Sequence, residues 1–299
     1  MRAPHQPAKW LQPSLVLECC HADWKPSRTA FAAAAHRAAH QILERGAIFA
    51  DPLAVRILGE DAEAVAREAE ADPSRRRMRS FIAVRTRFAE DALAAGVERG
   101  VRQLVVLGAG LDTLAYRSPF GERLRIFEVD HPARQAWKRE RLAAAGIAVP
   151  GWLTFAPLDF EREALGAGLE AAGFDPAAKT FFTWLGVVPY LSEEAVLATL
   201  GFIARLSGGA SVVFDYGDPP ETLSEEARAI HDARAARVEA AGESWVTYFE
   251  ADSLRAKLMG LGFTQVEDLG PASIAAQYFP NRGKVNADRG GHILRAATI

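Results

Sequence analysis

The sequence predicts an α/β fold: a doubly wound, mostly parallel sheet with helices on both faces. Three observations carry this. Short runs rich in β-branched or aromatic residues recur after Gly100, namely QLVVLGAG at 103–110, RIFEVD at 125–130, LTFAPLD at 153–159, TFFTWLGV at 180–187 and ASVVFDY at 210–216. Helical patterns at 132–145, 161–172 and 192–206 separate them, and strands alternating with helices indicate parallel pairing. The runs are apolar nearly throughout, as strands buried on both faces require.

The elements follow in chain order. Residues 1–26 hold prolines, two tryptophans and no clear period, and read as an irregular arm. Residues 28–58 are Ala-rich, with Ser27 placed to cap a helix. Asp51-Pro52 interrupts that pattern, because the residue before proline avoids the helical region. Helices are expected at 60–71 and at 78–95, the second ending near Gly96. Beyond the fifth strand, an acidic and Ala/Arg-rich helix covers 219–241 and another covers 251–260. A strand at 264–269, a loop through 289 and a last strand at 291–297 complete the reading. The domain division is 1–95 as N-terminal arm and helical cap, then 96–299 as the core, with a cap insertion at about 218–248.

Composition narrows the class. The chain has 299 residues, 49% hydrophobic and 24% charged, enough for a sizeable core. Net charge is −3 and the basic residues are dispersed, apart from Arg75-Arg76-Arg77 with Arg79, which reads as a solvated helix face. Nucleic acid is therefore not an expected partner. The two cysteines, Cys19 and Cys20, are adjacent, so no disulfide framework is expected and a reducing compartment fits. No apolar run approaches the ~20 residues of a membrane span, and LVLE at 15–18 is too short for a signal segment. The expected location is the cytoplasm, with no membrane partner. His36 and His40 stand four apart on a helix, a spacing that can bind zinc, but no third ligand is evident and no metal is expected.

In open α/β sheets ligands bind beyond the carboxyl ends of the strands. After the first run comes Gly108-Ala109-Gly110-Leu111-Asp112-Thr113, whose glycines allow close backbone approach. After the second come Glu128 and Asp130, 18 and 20 residues beyond Gly110, where a carboxylate can accept both hydroxyls of a ribose. Asp130 precedes His131-Pro132, so helix capping is the competing reading there. After the third come Asp159 and Phe160, an acid for an exocyclic amine and a ring for a purine face. In order at successive strand ends, the three describe an adenosine site. The dinucleotide fingerprint wants a third glycine where Thr113 stands, and no G-x-x-x-x-G-K-[ST] occurs. S-adenosylmethionine (SAM) is thus favoured over NAD. An NAD-dependent oxidoreductase and a non-catalytic adenosine-ligand binding protein remain as alternatives.

With these stretches the chain resembles the leucine carboxyl methyltransferase family, in particular its bacterial branch of SAM-dependent O-methyltransferases. The resemblance runs from about residue 27 to 297, through SRTAFAAAAHRAAH at 27–40, FADPLAVRILG at 49–59, VRTRFAEDAL at 84–93, GVRQLVVLGAGLDTLAYR at 100–117, FEVDHP at 127–132, WLGVVPYLSEEAV at 184–196 and YFPNR at 278–282. It implies a Rossmann-like sheet of seven strands with the last inserted antiparallel. It also implies SAM as cofactor, S-adenosyl-L-homocysteine as product, and in-line methyl transfer to an oxygen of a small-molecule acceptor. Gly108, Ala109 and Gly110 should lie against the methionine part of SAM, Asp130 should hold the ribose with His131 beside it, and Asp159 and Phe160 should hold the adenine. A basic side chain should meet the SAM carboxylate, with Arg85 the first choice and Arg37 the second. Many members carry glutamate in a pattern like EGLLxYL; here Leu185 takes its place, so the carbonyl of Trp184 or Leu185 would face the SAM amino group. Tyr190 is the candidate for lining the transfer site, and Asp215 reads as a residue hydrogen-bonded within the fold. A carboxylate acceptor needs no general base, whereas a hydroxyl does, and the scarcity of histidines at the strand ends favours a carboxylate. His36 is the cap histidine able to overturn that reading.

Overall fold

The computed structural model describes residues 28–59, 62–72, 75–159, 163–240, 242–280 and 289–298. The arm at 1–26, Ser27, both cysteines, Phe160 and the end of the YFPNR stretch lie outside the described residues.

Seven strands form one sheet: β1 (Gln103–Leu107), β2 (Arg125–Asp130), β3 (Leu153–Pro157), β4 (Thr180–Trp184), β5 (Ala210–Gly217), β6 (Gln265–Leu269) and β7 (Gly291–Ala297). The order across the sheet is β3-β2-β1-β4-β5-β7-β6. β1 through β5 pair in parallel, and β7 runs antiparallel to both β5 and β6. The seven-stranded, mostly parallel fold expected from the sequence is present. The strand order reverses at β1 and β4, which places the ligand crevice above their carboxyl ends.

Alternation along each strand divides the core in two. Val105, Leu107, Phe127, Val129, Phe182 and Phe214 point to one face, covered by α7 (Leu165–Ala171), α8 (Glu193–Ala204) and α10 (Ala251–Leu261) through Leu169, Leu200 and Leu258. Leu104, Val106, Ile126, Phe181 and Val213 point to the other face. There α4 (Arg75–Glu98) buries Val84, Phe88, Leu93 and Val97, joined by α5 (Leu114–Arg117) and α11 (Pro271–Tyr278). A third cluster joins α1 (Arg28–Leu43), α2 (Leu53–Leu58) and α6 (Pro132–Ala144) around Ala34, Ala38, Ile57, Trp137 and Leu142. α3 (Ala62–Ala71) and α9 (Glu225–Glu239) complete the helices of the described residues.

Two expectations change. α4 does not stop near Gly96 but runs through it to Glu98, and Gly100, at φ 95°, turns the chain toward β1. The stretch read as a loop after 269 contains α11, opened by Pro271 in its first turn and anchored by the buried Ile274.

Candidate active site

The glycine turn follows β1. Gly108 and Gly110 have φ of 65° and 43°, in the region that favours glycine. The space left by their missing side chains is filled by the protein itself. A Cβ on Gly108 would sit 2.4 Å from Val187, and one on Gly110 would sit 3.2 Å from Ala30 of α1. Gly108 and Ala109 both donate their N–H to the carbonyl of Val129, at 2.8 and 3.1 Å. The turn is therefore tied to the end of β2 and roofed by α1.

Asp130 closes the same corner. One carboxylate oxygen accepts the Gly110 N–H at 2.6 Å and the other accepts its neighbour His131 N–H at 2.8 Å. Arg134 approaches at 3.8 Å. The capping role falls instead to His131, whose Nδ1 accepts the Ala133 N–H at 3.2 Å at the start of α6. Glu128, the other acid considered for this corner, lies one side-chain pair deeper. It is fully buried, ion-paired with Lys138 at 2.8 Å and bonded by the Tyr116 hydroxyl at 3.2 Å. Burial pushes its carboxyl up to about 7 despite the lysine. Asp130 is the acid at the lip.

After β3, Asp159 is half-buried. Its N–H donates to Glu163 Oε2 at 2.9 Å and its carbonyl accepts the Glu163 N–H at 2.8 Å, making a closed turn.

Arg37 and Arg85 are both buried. Arg37 donates to Asp51 at 2.9 Å and to the Leu111 carbonyl at 2.7 Å, locking α1 to the glycine turn. Asp51 is a hub: it also accepts from Thr113 at 2.8 Å and from the N–H groups of Leu53 and Ala54 at the start of α2. Arg37 and Arg117 hold its carboxyl below the usual range against the opposing pull of burial. Arg85 instead reaches the ends of β4 and β5. It donates to Asp215 at 2.7 Å, and the second oxygen of Asp215 accepts the Gly186 N–H at 2.6 Å. Arg85 Nε is buried with no hydrogen-bond partner among the described residues.

Leu185 is half-buried and packs on the second core cluster. Tyr190 is half-buried in the short turn Val188–Tyr190 after β4. Burial raises its phenol above the ordinary value, so it stays a proton donor at neutral pH; Trp245 hydrogen-bonds to it. Pro189 accepts the Val246 N–H at 2.7 Å, tying the segment that follows α9 to this turn.

Two of the described histidines are held by contacts within the fold. His40 Nε2 accepts the N–H groups of Ile48 and Phe49, a fold-holding role that sequence spacing with His36 did not reveal. His292 is buried between Asp218 at 3.1 Å and Asp268 at 3.0 Å, with its ring stacked on Tyr216. The two carboxylates outweigh burial and lift it to about 9, so it is protonated at neutral pH. His36 is lowered to about 4, first by burial and then by Arg75, Arg79, Arg85 and Arg234.

The model of the leucine carboxyl methyltransferase family matches residues 30–204, more than half of the chain. The chain belongs to that family. It is 36% identical over 204 residues to YktD of Bacillus subtilis, assigned as an S-adenosyl-L-methionine-dependent methyltransferase, covering 66% of each chain. A relative from Parafrankia sp. with the same assignment is 40% identical over 163 residues, covering 51% of this chain and 50% of the relative. One from Mycolicibacterium smegmatis is 32% identical over 228 residues, covering 76% and 70%. The matched stretches thus span about half to two thirds of the length of the first two relatives. Among the described residues, no helix is long and apolar enough to cross a membrane.

Proposed function

We propose that this protein is a SAM-dependent methyltransferase that O-methylates the carboxylate of a small molecule. The observation that carries the cofactor reading is the corner where Asp130 grips Gly110 at the carboxyl end of β2, beside the switch point of the sheet. The residues fit SAM better than a dinucleotide. Thr113 stands where a third glycine would be, is buried, and spends its hydroxyl on Asp51. The helix that follows, α5, is a single turn of four residues, too short to offer a pyrophosphate the strong N-terminal field of a longer helix. The buried, unpartnered Nε of Arg85 suits a ligand carboxylate.

SAM, when bound, supplies a methyl group on a sulfonium. Around it, Gly108, Ala109 and Gly110 would present backbone, Asp130 would accept from the ribose with His131 beside it, and Asp159 with Phe160 would meet the adenine. Arg85 would pair with the methionine carboxylate, and the carbonyl of Trp184 or Leu185 would face its amino group. Arg37 holds the turn in place behind them. Tyr190 lines the acceptor side and can donate a hydrogen bond to it.

Two histidines with displaced titrations, and Glu128 sealed in the core against Lys138, support the acceptor class. A hydroxyl acceptor wants a base with a pKa near the working pH. His36 at about 4 is a weak base, and His292 at about 9 already holds its proton. A carboxylate arrives deprotonated and needs neither. The test uses methyl-labelled SAM and a panel of small carboxylic acids. Label should appear in an ester that releases methanol in mild alkali. A base-stable ether or N-methyl product overturns the carboxylate assignment. Calorimetry with SAM, S-adenosylhomocysteine and NAD tests the cofactor: tight NAD binding without SAM binding overturns it.

A further inference from the structure

α4 feeds Val84, Phe88, Leu93 and Val97 into the core. Arg85 leaves that core and reaches the carboxyl ends of β4 and β5, where Asp215, 130 positions on, receives it. Asp215 is buried too, and its strand neighbours Phe214 and Tyr216 pack on the opposite face of the sheet.

Three contacts fix the guanidinium. Nη1 donates to Asp215 Oδ2 at 2.7 Å. Oδ1 of the same carboxylate accepts the Gly186 N–H at 2.6 Å, so one acid holds both the helix arginine and the backbone that leaves β4. Gly186 has φ of 72°, and the arginine takes the place of its missing side chain. A Cβ there would stand 2.8 and 2.9 Å from Nη2 and Nη1 of Arg85. The glycine thus lets the flat guanidinium lie against the chain. One edge of the fork stays open. Nη1 is committed to Asp215, whereas Nε is buried with no hydrogen-bond partner among the described residues. A charged donor buried without an acceptor is unfavourable, and the edge from Nε to Nη2 matches the two oxygens of a carboxylate.

We propose that Asp215 is a positioning residue for the cofactor: it sets Arg85 so that the Nε–Nη2 edge takes the methionine carboxylate of SAM. The inference rests on the methyltransferase reading and adds how the amino-acid end of the cofactor is selected. The charge of Asp215 works against that role, because it lies on the same guanidinium as the incoming carboxylate and repels it. Two readings of the acid therefore differ in sign. If Asp215 only neutralises a buried arginine, removing its charge tightens the hold on the ligand carboxylate. If it positions the arginine, the hold loosens, because an amide offers one oxygen where Arg85 and Gly186 need two.

The experiment measures, by calorimetry on the full chain, the affinities for S-adenosylhomocysteine and for 5′-methylthioadenosine, which lacks the amino-acid end. The unaltered chain should prefer S-adenosylhomocysteine. Asp215→Asn should bind it about tenfold more weakly or worse and leave 5′-methylthioadenosine unchanged, whereas a merely structural role lowers both. Arg85→Met should show the same selective loss. Adding Asp215→Asn to Arg85→Met should weaken S-adenosylhomocysteine no further, since the acid acts through the arginine. Far-UV circular dichroism checks folding. If Asp215→Asn does not fold, Gly186→Ala replaces it: this variant keeps the ion pair, displaces the guanidinium and should reproduce the selective loss. Unchanged or tighter S-adenosylhomocysteine binding by the variant used, an equal fall for both ligands, or an undiminished effect of Asp215→Asn in Arg85→Met overturns the positioning role. An unaltered chain that binds both ligands equally also overturns it and leaves the methyltransferase reading standing. An unaltered chain that binds neither overturns that reading, and the role of Asp215 falls with it.

Discussion

α8 and α9 begin with the same four residues, Ser-Glu-Glu-Ala, at Ser192 and at Ser224. In both, the serine hydroxyl accepts the N–H of the alanine three residues on, at 3.2 and 3.3 Å. In both, two glutamates occupy the first turn, where the helix field favours negative charge. The two helices then diverge. α8 continues VLATLGFIA and buries Val196, Leu200 and Ile203 in the core, whereas α9 continues RAIHDARAARVE and buries nothing. The local code writes a helix in each case. The apolar pattern decides whether that helix is part of the core or an overlay held by a few polar contacts.

The largest effect should fall on that contrast. Leu200→Ala removes a fully buried side chain from the first core cluster and should cost about 2–5 kcal/mol. Ile230→Ala, on the half-buried face of α9, should cost less than about 1 kcal/mol. Urea unfolding of both variants checks this. Comparable losses would mean that α9 belongs to the cooperative core.

The sheet end gives a pH-dependent version. His292 is raised from 6.5 to about 9 by Asp218 and Asp268. Its contribution, about 3 kcal/mol on the scale of 1.36 per pH unit, is complete below about pH 6.5 and lost as pH rises through about 9. Stability should therefore decline between these values, and in His292→Gln that decline should flatten. The contacts that anchor α9, through Arg28, Thr29 and Tyr248, do not include His292, so α9's protection from hydrogen exchange, measured relative to global stability, should not follow this titration.

These contrasts also mark what could be read from the sequence. β1 and β4 were legible because strands buried on both faces are apolar nearly throughout, and β2 because Ile126, Phe127 and Val129 keep that pattern around the buried Glu128. The Gly108–Gly110 turn and Asp130 were legible because local chain geometry puts them at adjacent strand ends. Arg85 was a candidate, but its partner Asp215 lies 130 positions away, and no local pattern encodes that pairing. The same holds for the burial of Arg37 against Asp51 and for Ala30 roofing Gly110. α11 escaped notice because one buried residue, Ile274, leaves no periodic signal.

Asp130 tests how far its local wiring serves a ligand. Asp130→Ala should weaken SAM binding by about 1.5–3 kcal/mol, the range for hydrogen bonds to a charged group. Part of that loss comes from the Gly110 N–H, which loses its acceptor. Asp130→Asn keeps an oxygen for one of the two N–H donors and should bind SAM better than the alanine variant. Calorimetry on both separates the roles. Unchanged SAM affinity in Asp130→Ala would leave this acid a purely structural clasp of the glycine turn.

The smallest effect returns to the paired caps. Ser192→Ala and Ser224→Ala remove the same hydrogen bond, each worth about 1 kcal/mol to its own helix. In α8 the loss should appear as global destabilisation, since Val196 and Leu200 cannot leave the core unless the fold opens. In α9 it should not, because the helix can fray by itself: its anchors are polar and its first turn touches no core residue. Ser224→Ala should therefore leave the urea midpoint unchanged while hydrogen exchange across 225–232 accelerates about fivefold, the factor that about 1 kcal/mol gives. A matching fall in the midpoint for both serines would erase the distinction between core helix and overlay. α9 would then open only together with the core.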